Sequence, residues 1–224
     1  MFDRLERLIG NNINKIKQKT VMVIGLGGVG SYAVETLVRN GIENIIIVDF
    51  DKVDITNKNR QIHALDNTIN RNKTDVMEER IKLINNNCNV KKLNIFLNEE
   101  SKDEVFNEKI DYVIDACDTI SAKILIIKEC IKRNIKFIVS CGTANKLDPK
   151  KLEITTLDKT SYDSLAKKLR YELRKENISN KITVVSSIEE CIKSTPVGSY
   201  SPVPNTAGIL LGDYVIKDII KQEN

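Results

Sequence analysis

Residues 21–30 read VMVIGLGGVG, and this stretch decides the fold. Its apolar start predicts a buried parallel strand, and the glycines that follow predict a tight turn into a helix. Gly25, Gly27 and Gly30 fit the pattern G-x-G-x-x-G, and Gly28 adds a fourth glycine. Glycine allows the turn, lets the backbone approach a phosphate, and lets the helix pack close to the strand. A phosphate held there would meet free backbone N–H groups and the positive end of the helix dipole.

A helix over residues 31–40 and a second apolar run over 45–48 follow the glycines. Gly41 lies between them and is the expected helix-terminating glycine. The second run ends at Asp49, about 20 residues beyond the glycines, where a carboxylate can bind ribose hydroxyls. The glycine motif alone also fits a turn that serves packing only. The acidic residue after the second strand favours a nucleotide site.

The rest of the chain alternates strands with helices. Strands are predicted over 91–96, 112–115, 136–140, 152–157 and 182–186, and helices over 74–85, 121–133, 162–177 and 206–221. This order predicts a doubly wound, Rossmann-like α/β fold whose mainly parallel sheet is extended by additional strands in the C-terminal half. We expect a single domain over 1–224, with a helical arm at 1–20, a nucleotide-binding core at 21–142, and a sheet extension with C-terminal helices at 143–224.

Apolar side chains at both ends of the chain are expected to pack against the core. In the arm the expected contacts are Leu5, Leu8 and Ile9. In the last helix, which a proline-containing loop over 194–205 precedes, they are Ile209, Leu210, Tyr214 and Ile220.

The composition is that of a globular protein with reduced cysteines. The 224 residues are 41% hydrophobic and 29% charged, with a net charge of +4. The five cysteines form no C-x-x-C pair, which argues against both a zinc site and a disulfide framework. No signal peptide opens the chain, and no apolar run approaches the ~18 residues that a membrane span needs. We therefore expect a cytoplasmic protein.

Polar and charged residues gather in the segments that follow the predicted strands, where α/β folds bind ligands. They are Asp49, Asp51, Asn57, Asn59, Arg60, Lys73 and Asp118, the last in the second acidic strand end, DACD. Two cations and a carboxylate able to hold a divalent metal suit a polyphosphate, because reaction at the α-phosphorus needs developing charge neutralised. A dehydrogenase needs only the ribose acid and a nicotinamide pocket, so these cations disfavour it.

These segments together resemble the ThiF/MoeB adenylating enzymes, which are relatives of ubiquitin-activating enzymes. The likeness is carried by GLGGVG, VDFDKVDITNKNRQ, the position of Lys73 and DACDT, and it spans about residues 4–142. Within that superfamily, FDRLERLIG, CGTANKLDP and DKTSYDSLAKKLRYELR resemble the tRNA threonylcarbamoyladenosine dehydratase branch. The resemblance implies a ThiF-type ATP-binding domain. It also implies ATP-dependent activation of the threonylcarbamoyl carboxylate on the adenosine beside the tRNA anticodon, followed by cyclisation with loss of water.

The resemblance also implies roles for individual residues. It assigns Gly25, Gly27, Gly28 and Gly30 to the phosphates, Asp49 to the ribose, and Asn57, Arg60 and Lys73 to the polyphosphate, with Asp51 and Asn59 beside them. Asp118 matches the acid that positions magnesium, and Arg4 matches an arginine that reaches the partner subunit's ATP in dimeric relatives. Arg60, Lys73, Asp118 and Arg4 are therefore the predicted catalytic residues.

ATP and magnesium are the implied cofactors, a monovalent cation is left open, and no zinc is expected. The implied partners are a tRNA substrate and a second copy of the chain, with no membrane and no obligatory sulfur-transfer protein. An adenylyltransferase that activates the C-terminus of a sulfur-carrier or ubiquitin-like protein is the alternative. The missing zinc pairs and the missing nucleophilic cysteine count against it. A non-enzymatic nucleotide-binding subunit is disfavoured because Arg60, Lys73 and Asp118 are all present.

Three further features have more than one interpretation. Residues 159–175 hold six Lys or Arg and a leucine stripe at 165, 169 and 173, so one face packs and the other is basic. The basic face fits either contacts with tRNA phosphates or a solvated surface. Cys117 and Cys141 follow strands and are expected to be packing residues, not nucleophiles. His63, the only histidine, is expected to form hydrogen bonds within its loop.

Overall fold

The computed structural model describes residues 1–221, and its centre is a seven-stranded sheet in the order β3-β2-β1-β4-β5-β7-β6. The strands are β1 (Thr20–Ile24), β2 (Asn44–Val48), β3 (Asn89–Leu93), β4 (Tyr112–Asp115), β5 (Lys136–Ser140), β6 (Leu152–Thr156) and β7 (Thr183–Ser187). Neighbouring strands are parallel except for β6, which pairs antiparallel with β7. The predicted Rossmann-like α/β fold, with its sheet extended by the C-terminal half, is confirmed.

Helices cover both faces of this sheet. They are α1 (Asp3–Ile9), α2 (Asn12–Gln18), α3 (Gly30–Arg39), α4 (Lys73–Ile84), α5 (Lys102–Val105), α6 (Ile120–Lys132), α7 (Ser164–Lys175) and α8 (Pro202–Lys221). Short 3₁₀ turns lie at Ile55–Asn57, Asp66–Thr68, Pro149–Lys151 and Leu157–Lys159. Only α5, which has four residues, and these turns have no counterpart in the sequence predictions.

The core lies on both faces of the sheet because successive side chains of a strand point to opposite sides. Val21 and Val23 of β1 belong to the cluster that includes residues of α3, α4 and α8. Met22 and Ile24 belong to the cluster that includes residues of α5 and α6. A third cluster around Leu169 joins α7 to β5 and β7. Apolar residues on both faces account for the unbroken hydrophobic runs that predicted parallel strands.

The N-terminal arm is two helices, and its predicted contacts are partly wrong. Gly10 separates α1 from α2 with a φ of 58°. Leu8 is 82% exposed, so it makes no core contact, and Leu5 is only partly buried. Ile9 is also partly buried but packs against the core, as predicted. The deeply buried residues are Ile13 and Ile16 of α2, which follows the break at Gly10 and packs against α8.

The last helix begins at Pro202, four residues before the predicted start. Of its predicted contacts, Leu210, Tyr214 and Ile220 pack against the core as partly buried residues, whereas Ile209 does not. Proline is tolerated in a first helical turn because its missing N–H would have no partner there. Ile209 is 46% exposed, whereas Gly208 and Gly212 are buried. A Cβ built at Gly208 would lie 2.2 Å from the Val29 carbonyl oxygen, so glycine allows α8 to approach α3 closely. Because glycine carries no hydrophobic signal, periodicity did not predict these two contact positions.

Candidate active site

A cavity of about 940 Å³ opens at the carboxyl ends of the parallel strands. Its lining comes from the glycine loop after β1, residues 49–51 after β2, residues 116–119 after β4 and residues 140–145 at the end of β5 and beyond it. The strand order reverses between β1 and β4, and open α/β sheets bind ligands at such a point. The volume is in the range of small-molecule sites, roughly 300–1,000 Å³.

The glycines of the loop divide into packing positions and an open position. Gly25 has a φ of 89°, and a Cβ there would lie 2.9 Å from the backbone of Ala116. A Cβ at Gly30 would lie 1.8 Å from the Gly25 carbonyl oxygen, so the turn and helix need both glycines. A Cβ at Gly27 would meet nothing within 4 Å, and this residue lines the cavity. Gly27 therefore leaves room for a ligand rather than for packing.

Asp49 is fixed in place by the glycine loop. One carboxylate oxygen accepts a 2.6 Å hydrogen bond from the Leu26 N–H, and the other accepts a 2.8 Å bond from the Asp51 N–H. Burial raises the pKa of Asp49 above its ordinary value, although nearby Lys73 and these two N–H groups act to lower it. A carboxylate has about four acceptor sites, so Asp49 retains capacity for ribose hydroxyls.

Lys73 is a buried cation in the cavity wall. It is the first residue of α4, and its ammonium nitrogen lies 2.7 Å from an Asp51 oxygen and 3.9 Å from an Asp49 oxygen. The backbone N–H of Lys73 donates to the Asp51 carbonyl oxygen at 3.0 Å, which holds the start of α4 against the end of β2. The local structure therefore presents one positive charge beside two carboxylates.

Arg60 lies across the glycine loop. A Cβ built at Gly28 would be 3.1 Å from the Arg60 Cγ, so the arginine stem covers this glycine. The guanidinium donates to the Thr56 carbonyl oxygen at 2.8 Å and to the Asn59 side-chain oxygen at 2.9 Å. The Asn59 amide in turn donates to the Ser199 carbonyl oxygen at 2.9 Å. These bonds tie the loop after β2 to the segment that precedes α8.

Asn57 is buried, and its side-chain oxygen accepts a 3.1 Å hydrogen bond from the Asp54 N–H, which orders the turn before Arg60. Asp118 is exposed at the cavity, and the Thr119 hydroxyl donates to its carboxylate at 3.5 Å. The structure thus brings together, around one cavity, every predicted site residue except Gly30, which packs behind the loop, and Arg4. Arg4 is exposed on α1 and does not line the cavity of its own chain.

Asp115, the acidic residue at the end of β4, forms a buried ion pair, although its position at the end of a strand suggests ligand binding. Asp115 and Lys123 of α6 are both completely buried, and their charged atoms lie 3.0 Å apart. Lys123 also donates to the Ser140 carbonyl oxygen at 2.9 Å, so this lysine ties together β4, β5 and α6. The sequence did contain a signal for this buried lysine. Lys123 lies three residues before Ile126 and seven before Cys130, which places it on the apolar face of α6.

Asp163 is a second residue that the sequence analysis missed. One of its carboxylate oxygens accepts a 2.7 Å bond from the Gly142 N–H in the cavity wall. The other accepts a 2.9 Å bond from the Ala166 N–H and caps α7. An aspartate directly before a helical pattern is a recognisable N-cap, but its bond across the chain to Gly142 is visible only in the fold.

The predicted hydrogen-bonding role of His63 is wrong for its side chain. The ring is 1% exposed, and neither ring nitrogen has a hydrogen-bond partner among residues 1–221. Burial, together with the positive charges of Lys73 and Arg80, lowers the pKa of His63 to about 4. The Thr68 hydroxyl donates to the backbone carbonyl oxygen of His63 at 2.8 Å. His63 is therefore a neutral core residue at physiological pH.

Burial also keeps Cys117 and Cys141, which follow β4 and β5, protonated. It raises the pKa of Cys141 to about 12 and that of Cys117 well above its ordinary value. A thiol is a weak nucleophile until it loses its proton, so neither position favours nucleophilic chemistry. Among residues 1–221, no group of three or more His, Cys, Asp or Glu side chains is arranged to hold a metal ion. No helix in the same range has the length and apolarity needed to cross a bilayer.

The doubly wound sheet, the glycine loop and the acid after β2 define a nucleotide-binding α/β protein. The chain belongs to the ThiF family, whose model matches residues 3–223. The resemblance found in the sequence is therefore confirmed.

Two named relatives are similar over most of the chain. It is 42% identical to the tRNA threonylcarbamoyladenosine dehydratase of Bacillus subtilis, over 98% of this chain and 94% of that protein. It is 38% identical to the protein of the same name from Haemophilus influenzae, over 84% of this chain and 72% of that protein.

Solved structures of a dehydratase with the same activity in its name also match the chain. The crystal structures of E. coli tRNA N6-threonylcarbamoyladenosine dehydratase, TcdA, in complex with AMP and with ATP both match with a TM-score of 0.93. Each is 32% identical in sequence and covers 98% of this chain and 93% of the solved chain. The similarity extends through β6, β7 and α8 as well as the glycine-loop half.

Proposed function

We propose that this chain is an ATP-dependent tRNA threonylcarbamoyladenosine dehydratase. It activates the carboxylate of the threonylcarbamoyl group on the adenosine next to the tRNA anticodon, and the activated group cyclises. The observation that carries the proposal is one cavity that combines the open glycine loop with Arg60 and Lys73, in a chain 42% identical to a dehydratase of that name. The complexes of TcdA with ATP and AMP support the same nucleotide.

The residues around the cavity suit ATP. The open space at Gly27 receives phosphate oxygens, and the fixed carboxylate of Asp49 binds the ribose. Arg60 and Lys73 neutralise the polyphosphate, with Asn57, Asn59 and Asp51 beside them. Two cations near the α-phosphorus stabilise the charge that develops there during attack, and such groups contribute about 10²–10³-fold to rates.

The chemistry requires no nucleophile from the protein. A carboxylate oxygen of the threonylcarbamoyl group attacks the α-phosphorus, pyrophosphate leaves, and a mixed carboxylic–phosphoric anhydride forms. A nucleophilic atom of the same modified base then attacks the acyl carbon, loses its proton, and releases AMP that carries the former carboxylate oxygen. Because the second step is intramolecular, positioning accounts for much of its rate, with effective molarities of ~10⁵ M or more for well-placed groups.

Asp118 is the proposed position for magnesium. Its carboxylate is exposed to the cavity, and hard divalent cations prefer such oxygen ligands. Magnesium bound to ATP would supply further charge neutralisation on the phosphates. A monovalent cation is a condition to vary in the assay, because none of these steps requires one.

A homodimer completes the proposal. Arg4 lies on the exposed surface of α1, outside the cavity of its own chain, so a role at ATP requires a second copy of the chain. The continuous sheet from β3 to β6 supports a single domain over 1–224, in which the core at 21–142 and the extension at 143–224 act together. The substrate, a tRNA, is consistent with a cytoplasmic location.

The test is to incubate the purified protein with ATP, magnesium and threonylcarbamoyl-modified tRNA, with and without potassium, and to weigh the nucleosides by mass spectrometry. Loss of one water that needs ATP and disappears in Arg60→Ala is the expected result. ATP–pyrophosphate exchange that depends on a carrier protein instead of tRNA would replace this proposal with the adenylyltransferase alternative.

A further inference from the structure

The outer side of α7 carries a strip of exposed cations. Its opposite side is buried through Ala166, Leu169 and Leu173, which pack in the third core cluster. The exposed side, here called the basic face, consists of Lys167, Lys168, Tyr171, Arg174 and Lys175. Tyr171 lies four residues after Lys167, and Arg174 and Lys175 lie three and four residues after Tyr171, which places all four on one side of an α-helix.

Most of the charge on the basic face is unneutralised. Among residues 1–221, Lys167, Lys168 and Arg174 have no ion-pair partner, whereas Lys175 pairs with Glu172 at 3.3 Å. Arg170 does not belong to this face, because its guanidinium donates to the carbonyl oxygens of Leu157 and Thr160. The arginine therefore serves the fold, and the three remaining cations are available to an external anion.

The basic face starts at the mouth of the cavity. Ser164 and Leu165, in the first turn of α7, line the cavity, and Asp163 fastens that end of the helix to Gly142 with a 2.7 Å hydrogen bond. With a rise of 1.5 Å per residue, Lys167 lies about 5 Å and Arg174 about 15 Å along the axis from Ser164. The cations thus form a row that leads away from the site of reaction.

We propose that the basic face of α7 binds the sugar–phosphate backbone of the substrate tRNA next to the modified adenosine. This inference rests on the proposed function, because a base that reacts in the cavity must carry its flanking phosphates across the cavity mouth. A row of unpaired cations about 10 Å long matches the repeating negative charge of an RNA strand. Tyr171 is 58% exposed in the middle of the row, and the Lys175 ammonium nitrogen lies 4.3 Å from the centroid of its ring. The other face of the ring can stack on an unpaired base.

The test compares two triple variants with the wild-type chain. The first is Lys167→Gln, Lys168→Gln and Arg174→Gln. The matched control is Lys109→Gln, Lys132→Gln and Lys221→Gln, which removes the same number of exposed positive charges, on lysines that form no ion pair among residues 1–221 and do not line the cavity. Both are assayed for tRNA affinity over a range of salt concentrations, for KM and kcat with modified tRNA, and for KM with ATP. Thermal unfolding shows that each variant is folded.

The α7 variant is expected to lose roughly 10- to 100-fold in tRNA affinity at low salt and to raise KM for tRNA similarly. Its plot of log affinity against log salt should be shallower by about 2, since each lost phosphate contact removes ~0.7 from the slope. KM for ATP and kcat at saturating tRNA should match those of the wild-type chain, and the control variant should resemble the wild type throughout.

The outcomes separate this inference from the proposed function. If the wild-type chain dehydrates tRNA and the two triple variants bind tRNA with equal affinity, the role proposed for the basic face is wrong and the dehydratase proposal stands. Absence of dehydration by the wild-type chain, together with tRNA affinity that still depends on α7, would overturn the function and retain the surface. Loss of affinity for an acidic protein, but not for tRNA, would assign the face to a different partner and overturn this inference.

Discussion

The ammonium nitrogen of Lys73 lies 2.7 Å from a carboxylate oxygen of Asp51, in the wall of the cavity. Lys73 is buried, whereas Asp51 is half-exposed and can release this contact to water. The pair therefore places the positive charge of Lys73 beside the glycine loop. A bound polyphosphate can replace Asp51 as the ion-pair partner of this lysine.

Replacement Lys73→Met should remove activity without unfolding the chain. Methionine has a similar volume and Asp51 remains solvated, but buried Asp49 loses a positive charge 3.9 Å away, so the free energy of unfolding should fall by about 1–3 kcal/mol. The rate of ATP-dependent dehydration should fall by about 10²–10³-fold, because a charge is lost where the transition state needs it. Single-turnover rates and urea unfolding check the two parts. A rate near that of the wild type would remove Lys73 from the proposed chemistry.

Replacement Lys123→Met is the matched case of a buried lysine that serves the fold. It leaves the carboxylate of Asp115, which is completely buried, without its counter-charge. We expect a loss of about 3–5 kcal/mol in the free energy of unfolding, as for other broken buried ion pairs. Adding Asp115→Asn should restore part of this loss, because the uncompensated charge is removed. Urea unfolding of both variants measures it, and equal stability of the single and double variants would contradict this interpretation.

The two kinds of glycine in the loop should respond differently to alanine. Gly30→Ala places a Cβ 1.8 Å from the Gly25 carbonyl oxygen, so it should lower the free energy of unfolding by about 3 kcal/mol or more. Gly27→Ala meets no protein atom within 4 Å. It should leave stability unchanged or raise it by up to about 1 kcal/mol.

Affinity for ATP is the second measurement on the glycine variants. Gly27→Ala should weaken ATP binding by at least about tenfold, because its methyl group occupies the space where phosphate approaches the backbone. Isothermal titration of the folded variant tests this. Unchanged ATP affinity in Gly27→Ala would mean that the phosphates lie elsewhere.

His63 should make stability fall in mild acid. Its pKa is about 4 in the folded chain, against about 6.5 when unfolded, so the unfolded state binds a proton that the folded state refuses. The contribution of His63 is fully present above pH 6.5 and is lost as the pH falls toward 4. Between pH 7 and pH 5 this loss amounts to about 2 kcal/mol.

Urea unfolding of the wild type and His63→Leu at these two pH values tests this prediction. His63 is the only histidine, so the difference between the two pH dependences reports on this side chain alone. We expect the variant to lose about 2 kcal/mol less than the wild type over this interval. Parallel pH dependences would show that the ring is not held neutral by burial.

The sequence was sufficient where structure and chemistry are both local. The strand β1, the glycine turn and Asp49 after β2 follow from short patterns, because only glycine fits the turn and parallel strands end at one edge. The same logic predicted that Arg60 and Lys73 would approach the glycine loop. These residues lie in segments that leave the same edge of the sheet.

The remaining features depend on contacts between distant segments. A carboxylate after a strand serves equally for a ligand or for a buried lysine, so the ion pair of Asp115 with Lys123 was not predicted, although the resemblance assigned Asp118 to the site. The packing face of α8 includes Gly208 and Gly212, which carry no hydrophobic signal. His63 lies in a polar segment but is buried in the folded chain, and hydrophobic periodicity along the sequence does not predict that burial. The proposed role of Arg4 depends on a second copy of the chain.

The central claim is that ATP activates the carboxylate of the modified base, and the fate of oxygen tests it most directly. Modified tRNA labelled with ¹⁸O in the threonylcarbamoyl carboxylate would be incubated with the protein, ATP and magnesium, and the nucleotide products weighed by mass spectrometry. We predict that one labelled oxygen appears in AMP for each base dehydrated. Dehydration that leaves AMP and phosphate unlabelled, with the label released as water, would contradict activation of the carboxylate at phosphorus.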